Sequence, residues 1–277
     1  MFKIGFIDYY LDEWHANNYP AWIKKATNGE MQVTHAWGMT DIEGKRTNKE
    51  WCEQMGITQC QTMEEVIDIC DGLIVLSPNN PEMHLELCEK PLKSKKPTYV
   101  DKTFAPDLET AKKIFAFAEE SGTPCYTSSA LRYASSYAKV DTSKVKAVHS
   151  WGPNDMEIYS IHQIEPICML MKTTAKRVMY LPGDKNGTLN IEFDDGRIAT
   201  MTHFVDGSDF VLNVAGEPNM MVNAGSDFWD IFIKVLIDFY HDHEIKVPHQ
   251  ETLNVIGLRS AGITASKNPL QWIDVEK

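Results

Sequence analysis

The residue of this chain best placed to do chemistry is a lysine at the junction of a strand and a helix. Lys102 ends the apolar segment 97–102 and precedes a turn and a helical pattern that opens at Asp107. In open α/β sheets, ligands bind in the crevice at the carboxyl ends of the strands, so a lysine there points its ammonium group at the ligand. A solvated turn lysine is the alternative interpretation. We interpret Lys102 as a candidate active-site residue.

Polar residues follow another apolar strand segment and would share the crevice with Lys102. Ser77, Pro78 and Asn79 come directly after the run 73–76, and His84 lies about one turn into the next helix. Turn chemistry alone also accounts for a proline and an asparagine at these positions. A lone helical histidine is more often packed than catalytic, so His84 is the weaker candidate.

The turn after the first strand segment departs from an ordinary dinucleotide-binding domain. In such domains the glycines of G-x-G-x-x-G let the backbone approach a pyrophosphate and leave helix amides free to bind it. Here Asp8, Tyr9 and Tyr10 occupy the turn, and Asp12 and Glu13 add negative charge. Either these residues shape a packed turn, or the crevice is rebuilt for another ligand.

Three further histidines lie in segments with a helical pattern. His162 lies in segment 156–165, which has the pattern of an amphipathic helix. Histidine, with a reference pKa of about 6.5, is the side chain best suited to move a proton near neutral pH. A packed helix histidine is the alternative. His241 and His243 are two apart and do not share a helix face, so we predict no metal site there.

Alternating strand-length and helix-length segments predict the fold of the first 125 residues. Apolar strand segments occur at 3–8, 31–37, 72–77, 97–102 and 123–127. A capping-box pattern at 62–65 and a helix from Asp107 to about residue 121 separate them. Strands that alternate with helices form parallel sheets. We predict an α/β fold, with a Rossmann-like doubly wound parallel sheet in residues 1–125.

Residues 126–277 predict a second domain of the α+β type with a mostly antiparallel sheet. Strand segments occur at 145–151, 177–181, 188–193 and 197–204, and the last two are joined by Asp194-Asp195-Gly196, a good hairpin signal. Helical patterns cover 228–240 and about 251–266. We leave open whether the last helix packs back on the first domain.

The amino-acid composition limits which classes of molecule the protein is expected to bind. Lys and Arg number 27 against 39 Asp and Glu, and the resulting net charge of -12 argues against nucleic acid or an anionic membrane. The six cysteines form no C-x-x-C pair, which is typical of reduced thiols in the cytoplasm. The sequence predicts neither a signal peptide nor a membrane helix, because its start runs straight into a strand-like pattern and no apolar run approaches about 20 residues. We predict a cytoplasmic protein that acts on a small molecule.

Several motifs, taken in order, resemble those of the Gfo/Idh/MocA oxidoreductases, which include glucose-fructose oxidoreductase and inositol dehydrogenase. The family's T-P-N-x-x-H element is similar to segment 77–84, and its E-K-P element is similar to 101–103. Its arginine or tyrosine segment is similar to 131–133, and its histidine-bearing segment to 158–162. The closing segment 247–266 is also similar, so the resemblance covers nearly the whole chain.

The resemblance implies an oxidoreductase that uses NAD or NADP and acts on a sugar, inositol or a related polyol. It implies that Lys102 contacts the nicotinamide and the reacting hydroxyl, and that His162 takes the hydroxyl proton. Arg132, Tyr133 and Tyr159 would line the polyol pocket. A homodimer or homotetramer is also implied. The candidate cofactor-binding residues are Asp8, Tyr9, Tyr10, Ser77, Pro78, Asn79, His84 and Asp101.

Departures from the family pattern keep other functions open. The glycine fingerprint is absent, Asp101 and Thr103 replace the glutamate and proline of E-K-P, and Ile158 replaces the aspartate that partners the histidine. The main alternative is a homologue without dinucleotide redox activity that binds a sugar or has a regulatory role. Non-redox acid–base chemistry on a sugar is a third possibility. Asp41 is a candidate ribose ligand, and the choice between NAD and NADP stays open.

Overall fold

The computed structural model describes residues 1–225 and 227–277, which divide into two compact units. The first unit comprises Met1–Ala105, Glu109–Thr127 and Ile233–Pro248. The second comprises Pro106–Leu108, Ser128–Phe232 and His249–Lys277. Residues 233–248, which the sequence places in the second domain, therefore cluster with the first unit. The last helix belongs to the second unit.

The first unit is built around a parallel sheet of six strands in the order β3-β2-β1-β4-β5-β6. This confirms the predicted Rossmann-like sheet. The chain winds outward from β1 on one side and from β4 on the other, so the crevice expected for a ligand lies at their carboxyl ends. Its elements are β1 (Phe2–Asp8), α1 (Trp14–Ala26), β2 (Met31–Gly38), α2 (Asn48–Met55), β3 (Thr58–Gln59), α3 (Met63–Ile69), β4 (Gly72–Val75), α4 (His84–Leu92), β5 (Thr98–Val100), α5 (Leu108–Ser121) and β6 (Cys125–Tyr126).

The central strands are buried on both faces, as expected for strands covered by helices on either side. Every residue of β4 is buried, and Ile4, Phe6 and Ile7 of β1 have no exposed surface. Gly5 lets α3 pack closely against β1, because a Cβ atom there would lie 2.4 Å from Cγ1 of Val66. These contacts fix β1 and hold the turn that follows it.

The second unit contains a sheet of seven strands in the order β12-β11-β7-β10-β9-β8-β13. All neighbouring pairs are antiparallel except β7 and β10, which confirms the predicted α+β domain. Along β9 buried and half-buried residues alternate, and α6 and α8 pack against the sheet. Its elements are β7 (Ala147–Pro153), α6 (Ile161–Met171), β8 (Ala175–Pro182), β9 (Gly187–Phe193), β10 (Ile198–Phe204), β11 (Val211–Ala215), β12 (Met220–Asn223), α8 (His249–Lys267) and β13 (Trp272–Asp274), with α7 (Phe228–Asp242) preceding α8.

Some predicted boundaries were wrong. The strands predicted over 72–77 and 97–102 end at Val75 and Val100, so Ser77 and Lys102 lie in the connections that follow them. The helix predicted over 156–165 begins only at Ile161. The Asp155 carboxylate accepts hydrogen bonds from the amides of residues 157 and 158, at 2.8 Å each, and such a side chain favours a turn over a helix. Within residues 1–225 and 227–277, no helix combines the length and apolarity needed to cross a membrane.

Candidate active site

Five ionisable residues meet at the carboxyl end of the sheet in the first unit, and we call them the carboxyl-end cluster. Asp8 is the last residue of β1, Glu13 is the N-cap of α1, and His15 lies in the first turn of α1. Asp101 and Lys102 directly follow β5. Three of these side chains are acidic, so the cluster differs from the glycine-rich turn of an ordinary dinucleotide-binding domain.

Asp101 and His15 form a buried hydrogen-bonded pair at the centre of the cluster. Nδ1 of His15 is bonded to Oδ2 of Asp101, which is 1% exposed. The Lys102 backbone amide donates to Oδ1 of Asp101 at 2.9 Å, and the ring of His15 stacks on Tyr19 at 5.0 Å. Burial alone would raise the pKa of Asp101, but the attraction and hydrogen bond of His15 outweigh it and lower that pKa. Asp101 is therefore an ionised carboxylate, fixed beside Lys102.

Lys102 is half-buried and has a pKa below its ordinary value. Burial disfavours the ammonium form and lowers the pKa, while the negative charges of Asp101 and Glu13 partly oppose this effect. A lysine with a lowered pKa exchanges protons more readily near neutral pH than a solvated one. Lys102 therefore has an environment that suits acid–base or electrostatic catalysis.

Glu13 binds the backbone amides at the start of α1. Its Oε2 atom accepts from the amide of His15 at 2.7 Å, and its Oε1 atom accepts from the amide of Ala16. The side chain is buried, and burial raises its pKa, with Asp101 adding to the rise and His15 opposing it. Amides at this position bind the pyrophosphate in dinucleotide-binding domains. Here they already hold a carboxylate.

Asp8 is a buried acid at the end of β1. It is 1% exposed, and no group among the described residues donates a hydrogen bond to either carboxyl oxygen. Burial raises the pKa of Asp8 well above its ordinary value, and Glu13 raises it further, although the nearby amides of Tyr9 and Tyr10 act in the opposite direction. The protonated form of Asp8 is therefore favoured in the folded protein.

The rest of the turn between β1 and α1 is held by contacts with the loop before α2. Asp12 pairs with the Arg46 guanidinium at 2.5 Å, and this hydrogen bond lowers the pKa of Asp12. The ring of Tyr10 lies 4.9 Å from the Nζ atom of Lys45 and packs edge-on against Tyr9. Tyr9 and Tyr10 are half-buried, which leaves part of each ring on the surface.

Asp41, the candidate ribose ligand, already has a partner at the start of α2. It accepts a hydrogen bond from the amide of Asn48 at 2.7 Å. The Asn48 side chain in turn accepts from the amide of Leu11 at 2.9 Å, in the turn between β1 and α1. Asp41 therefore helps to position that turn.

The connection after β4 holds the other predicted cofactor contacts. Ser77 has a positive φ of 87° and donates from Oγ to the carbonyl of Asn80 at 3.1 Å. Pro78 is buried and Asn79 is exposed.

His84 has no exposed surface, and its ring bonds the carbonyls of Leu76 at 2.5 Å and Phe104 at 3.0 Å. Burial lowers the pKa of His84, against the effect of these two hydrogen bonds. Its ring joins the connections after β4 and β5, so a cofactor cannot reach it without displacing these bonds.

In the second unit, His162 is paired with a serine. Its Nδ1 atom lies 2.8 Å from Oγ of Ser129, and the rings of Tyr159 and Phe210 approach it edge-on at 5.5 and 5.7 Å. Ile158, which replaces the family's aspartate, is 46% exposed. A hydroxyl can orient the imidazole, but it stabilises an imidazolium less than a carboxylate does.

Arg132 is held by two carboxylates. Its guanidinium donates to Oε1 of Glu165 at 2.8 Å and to Oε1 of Glu251 at 2.7 Å, and its side chain is 8% exposed. Burial lowers the pKa of Arg132, but Glu165 and Glu251 outweigh it and raise that pKa overall. The amide of Ser129 donates to Glu165 at 2.6 Å, which connects this ion triad to His162. The predicted polyol contact of Arg132 stays a prediction.

Tyr133 is half-buried, and its hydroxyl donates to Oγ of Ser128 at 3.2 Å. Burial raises the pKa of Tyr133 to about 12, so its hydroxyl is a hydrogen-bond donor at neutral pH. Of the predicted site residues, Asp8, Asp101 and Lys102 meet in the first unit. His162 and Tyr159 meet in the second.

The sequence analysis did not identify two residues of these sites, His15 and Ser129. His15 could have been found, because it stands where the fingerprint would place the start of a helix that binds phosphate. Ser129 has no local signal, since it is 33 residues from its partner His162.

Residues 15–129 match the model of an oxidoreductase family with an NAD-binding Rossmann fold, Gfo/Idh/MocA. This part of the chain is similar to that family. The match starts at His15, so β1 and the turn with Asp8 and Glu13 lie outside it. No curated protein sequence matches the chain significantly.

Solved structures share the fold over nearly the full length of this chain. A probable dehydrogenase from Thermotoga maritima has a TM-score of 0.81 at 13% identity, covering 99% of this chain and 98% of that one. The myo-inositol dehydrogenase from Lactobacillus casei in complex with NAD(H) and myo-inositol has a TM-score of 0.80 at 14% identity, covering 100% of this chain and 97% of that one. Apo scyllo-inositol dehydrogenase from the same organism has a TM-score of 0.79 at 13% identity, covering 99% and 98%. At these identities the likeness shows the fold.

The residues of the first unit fit a dinucleotide at one end of the crevice and not at the other. Lys102 and the connection 77–80 lie at the carboxyl ends of β5 and β4, where polar groups can contact a nicotinamide and its ribose. At the start of α1, Glu13 holds the amides that a pyrophosphate needs, and Asp8 is buried beside it. The residues at the start of α1, in their present arrangement, therefore do not fit the pyrophosphate of a dinucleotide.

Proposed function

We propose that this protein is an oxidoreductase that transfers a hydride between a sugar or polyol hydroxyl and the nicotinamide of NAD or NADP. The observation that carries the proposal is Lys102, a half-buried lysine of lowered pKa beside an ionised aspartate, at the carboxyl end of the sheet in a family with an NAD-binding Rossmann fold. The fold shared with a myo-inositol dehydrogenase that binds NAD(H) and myo-inositol supports the class of substrate and cofactor.

In this proposal the protein supplies charge and proton transfer. The cofactor, when bound, supplies the hydride chemistry. The Lys102 ammonium group stabilises the negative charge that develops on the substrate oxygen, and Asp101 fixes the backbone of Lys102. His162 takes the hydroxyl proton, and Ser129 holds its imidazole ring.

The first experiment is a titration of the purified protein with NADH and NADPH, followed by quenching of the emission of its seven tryptophans. A panel of polyols and sugars then tests for turnover. We expect Lys102→Met to lower kcat by about 10²- to 10⁴-fold, the usual contribution of one acid–base group, and to leave a folded protein. Lys25→Met, an exposed position on α1, is the control. Unchanged turnover in Lys102→Met would refute the role of this lysine.

A second candidate function is a sugar-binding or regulatory protein without dinucleotide redox activity. The observation that favours it is Glu13, which binds the amides of His15 and Ala16 at the start of α1. Calorimetric binding of a polyol by a protein that binds neither NADH nor NADPH and turns nothing over would favour this candidate.

We also propose a homodimer or homotetramer in the cytoplasm. The sheet of the second unit has a half-exposed face, on which Thr188, Asn190 and Glu192 alternate with buried residues of β9. Such a face is suited to pair with its counterpart on a second copy. All six cysteines are free and buried, which supports a reducing compartment. Sedimentation as a pure monomer at micromolar concentration would rule out the oligomer.

A further inference from the structure

We propose that Glu13 is an internal substitute for the pyrophosphate of a dinucleotide, and that it competes with NAD(P)H for the start of α1. The inference rests on the proposed function and concerns how the cofactor is admitted. It predicts that this protein binds dinucleotides weakly until Glu13 leaves its position.

The contacts of Glu13 are those that a phosphate would make. Its two carboxyl oxygens bind two successive amides, those of His15 and Ala16, in the first turn of a 13-residue helix. These amides carry the positive end of the helix dipole, which attracts an anion from any source. Because Glu13 is covalently part of the turn, its local concentration is high and a free anion must displace it.

Asp8 provides a second, independent observation. It is 1% exposed, and its carboxyl oxygens receive no hydrogen bond from any described residue. The positively charged groups that face the cluster are Lys102 and, when protonated, His15, and Asp101 already attracts both of them. A pyrophosphate placed here would add two negative charges near Glu13 and Asp101, and would disfavour the ionised form of Asp8 further. Removing the charge of Glu13 reduces that repulsion and frees an amide.

The test uses full-length variants at Glu13. Glu13→Gln keeps the size of the side chain and removes its charge. Glu13→Ser places a good N-cap residue at the start of α1, so the helix stays capped while the crevice gains room. The control is Glu50→Gln, which removes a carboxylate from the first turn of α2, outside the cluster. Circular dichroism and thermal unfolding establish that each variant is folded.

NADH, NADPH and ADP-ribose are titrated into each protein by calorimetry. ADP-ribose contains the pyrophosphate without the nicotinamide, so it isolates the end of the crevice that Glu13 blocks. We expect Kd for all three to fall about tenfold or more in Glu13→Ser, the size expected for one N-cap interaction, with Glu13→Gln in between and Glu50→Gln unchanged.

Two results would overturn the inference, and they differ in what they say of the proposed function. If the wild-type protein and both Glu13 variants bind NADH with the same affinity, Glu13 is no competitor and the proposed function stands. If no protein binds any of the three ligands, Glu13 is not what excludes them and the proposed function fails as well.

Discussion

Replacing Arg132 by methionine should strongly destabilise the second unit. Arg132 is the cation of a buried triad with Glu165 and Glu251, whose side chains are 6% and 15% exposed. Without it two carboxylates face each other in a poorly solvated site. Removing one partner of a buried ion pair costs about 3–5 kcal/mol, and methionine fills most of the volume, so little of the loss comes from a cavity.

Urea unfolding at neutral pH, followed by circular dichroism, measures this free energy. The matched control is Arg177→Met, because Arg177 pairs with Glu192 at 2.6 Å but is 38% exposed, and exposed pairs contribute about 1 kcal/mol or less. The double variant Arg132→Met with Glu165→Gln should recover part of the loss, because it removes one of the uncompensated charges.

The stability of Arg132→Met should also depend on pH, and the pKa of Glu165 decides the direction of that dependence. Burial raises the pKa of Glu165 in the folded protein, and the attraction of Arg132 opposes this rise. A raised pKa means that the folded state binds a proton that the unfolded state has lost, so stability falls as pH rises from the unfolded pKa to the folded one. In Arg132→Met the opposing attraction is lost and the folded-state pKa of Glu165 rises further, so this pH window extends to higher pH. The variant should therefore lose less stability at mildly acidic pH than at neutral pH.

A loss in Arg132→Met no larger than that of Arg177→Met would refute this reasoning. If the variant also had an unchanged unfolding free energy and a raised KM for its substrate, Arg132 would be a substrate contact. That outcome would support its predicted place in the polyol pocket.

Further predictions concern the first unit. His84→Phe should cost about 1–3 kcal/mol, because the lowered pKa favours a neutral ring with one N–H, and the buried carbonyl that accepts from it, that of Leu76 or Phe104, loses its donor. Urea unfolding measures this loss, and a value near zero would mean that water satisfies the carbonyl. Asp8→Asn should shrink the fall in stability between mildly acidic and neutral pH, because the raised pKa of Asp8 makes the wild type lose stability as pH rises; an unchanged slope would contradict this. Gly5→Ala should lower stability by about 1–3 kcal/mol through overpacking against Val66, and an unchanged Tm would show that the contact relaxes freely.

Much of the fold could be predicted because its strong signals are local. The five apolar segments of the first domain became β1, β2, β4, β5 and β6, since strands buried on both faces need continuous apolar residues. The hairpin predicted at 194–196 was confirmed, and Gly196 has the positive φ of 82° that such a turn requires. The strands that were missed, β3, β11, β12 and β13, have two to five residues, too few for a periodic pattern.

The candidate site was less predictable because its contacts join distant parts of the chain. Lys102 and Asp101 are neighbours in sequence, so their position at the end of β5 could be inferred. The partners of Asp101 and Arg132 could not, since His15 is 86 residues from Asp101 and Glu251 is 119 residues from Arg132. Only the folded sheet and helices bring these charges together.

The first unit is completed by residues from near the end of the chain, and this affects folding during translation. Residues 233–248 return to the first unit, where the hydroxyl of Tyr240 donates to the carbonyl of Leu73 at 2.7 Å and Phe239 packs on Tyr126 at 4.8 Å. During synthesis this part of the parallel sheet stays uncovered until almost the whole chain has left the ribosome. A nascent chain that stalls after residue 127 would expose apolar surface and be prone to aggregation, so chaperone dependence should be greatest over the second half of translation.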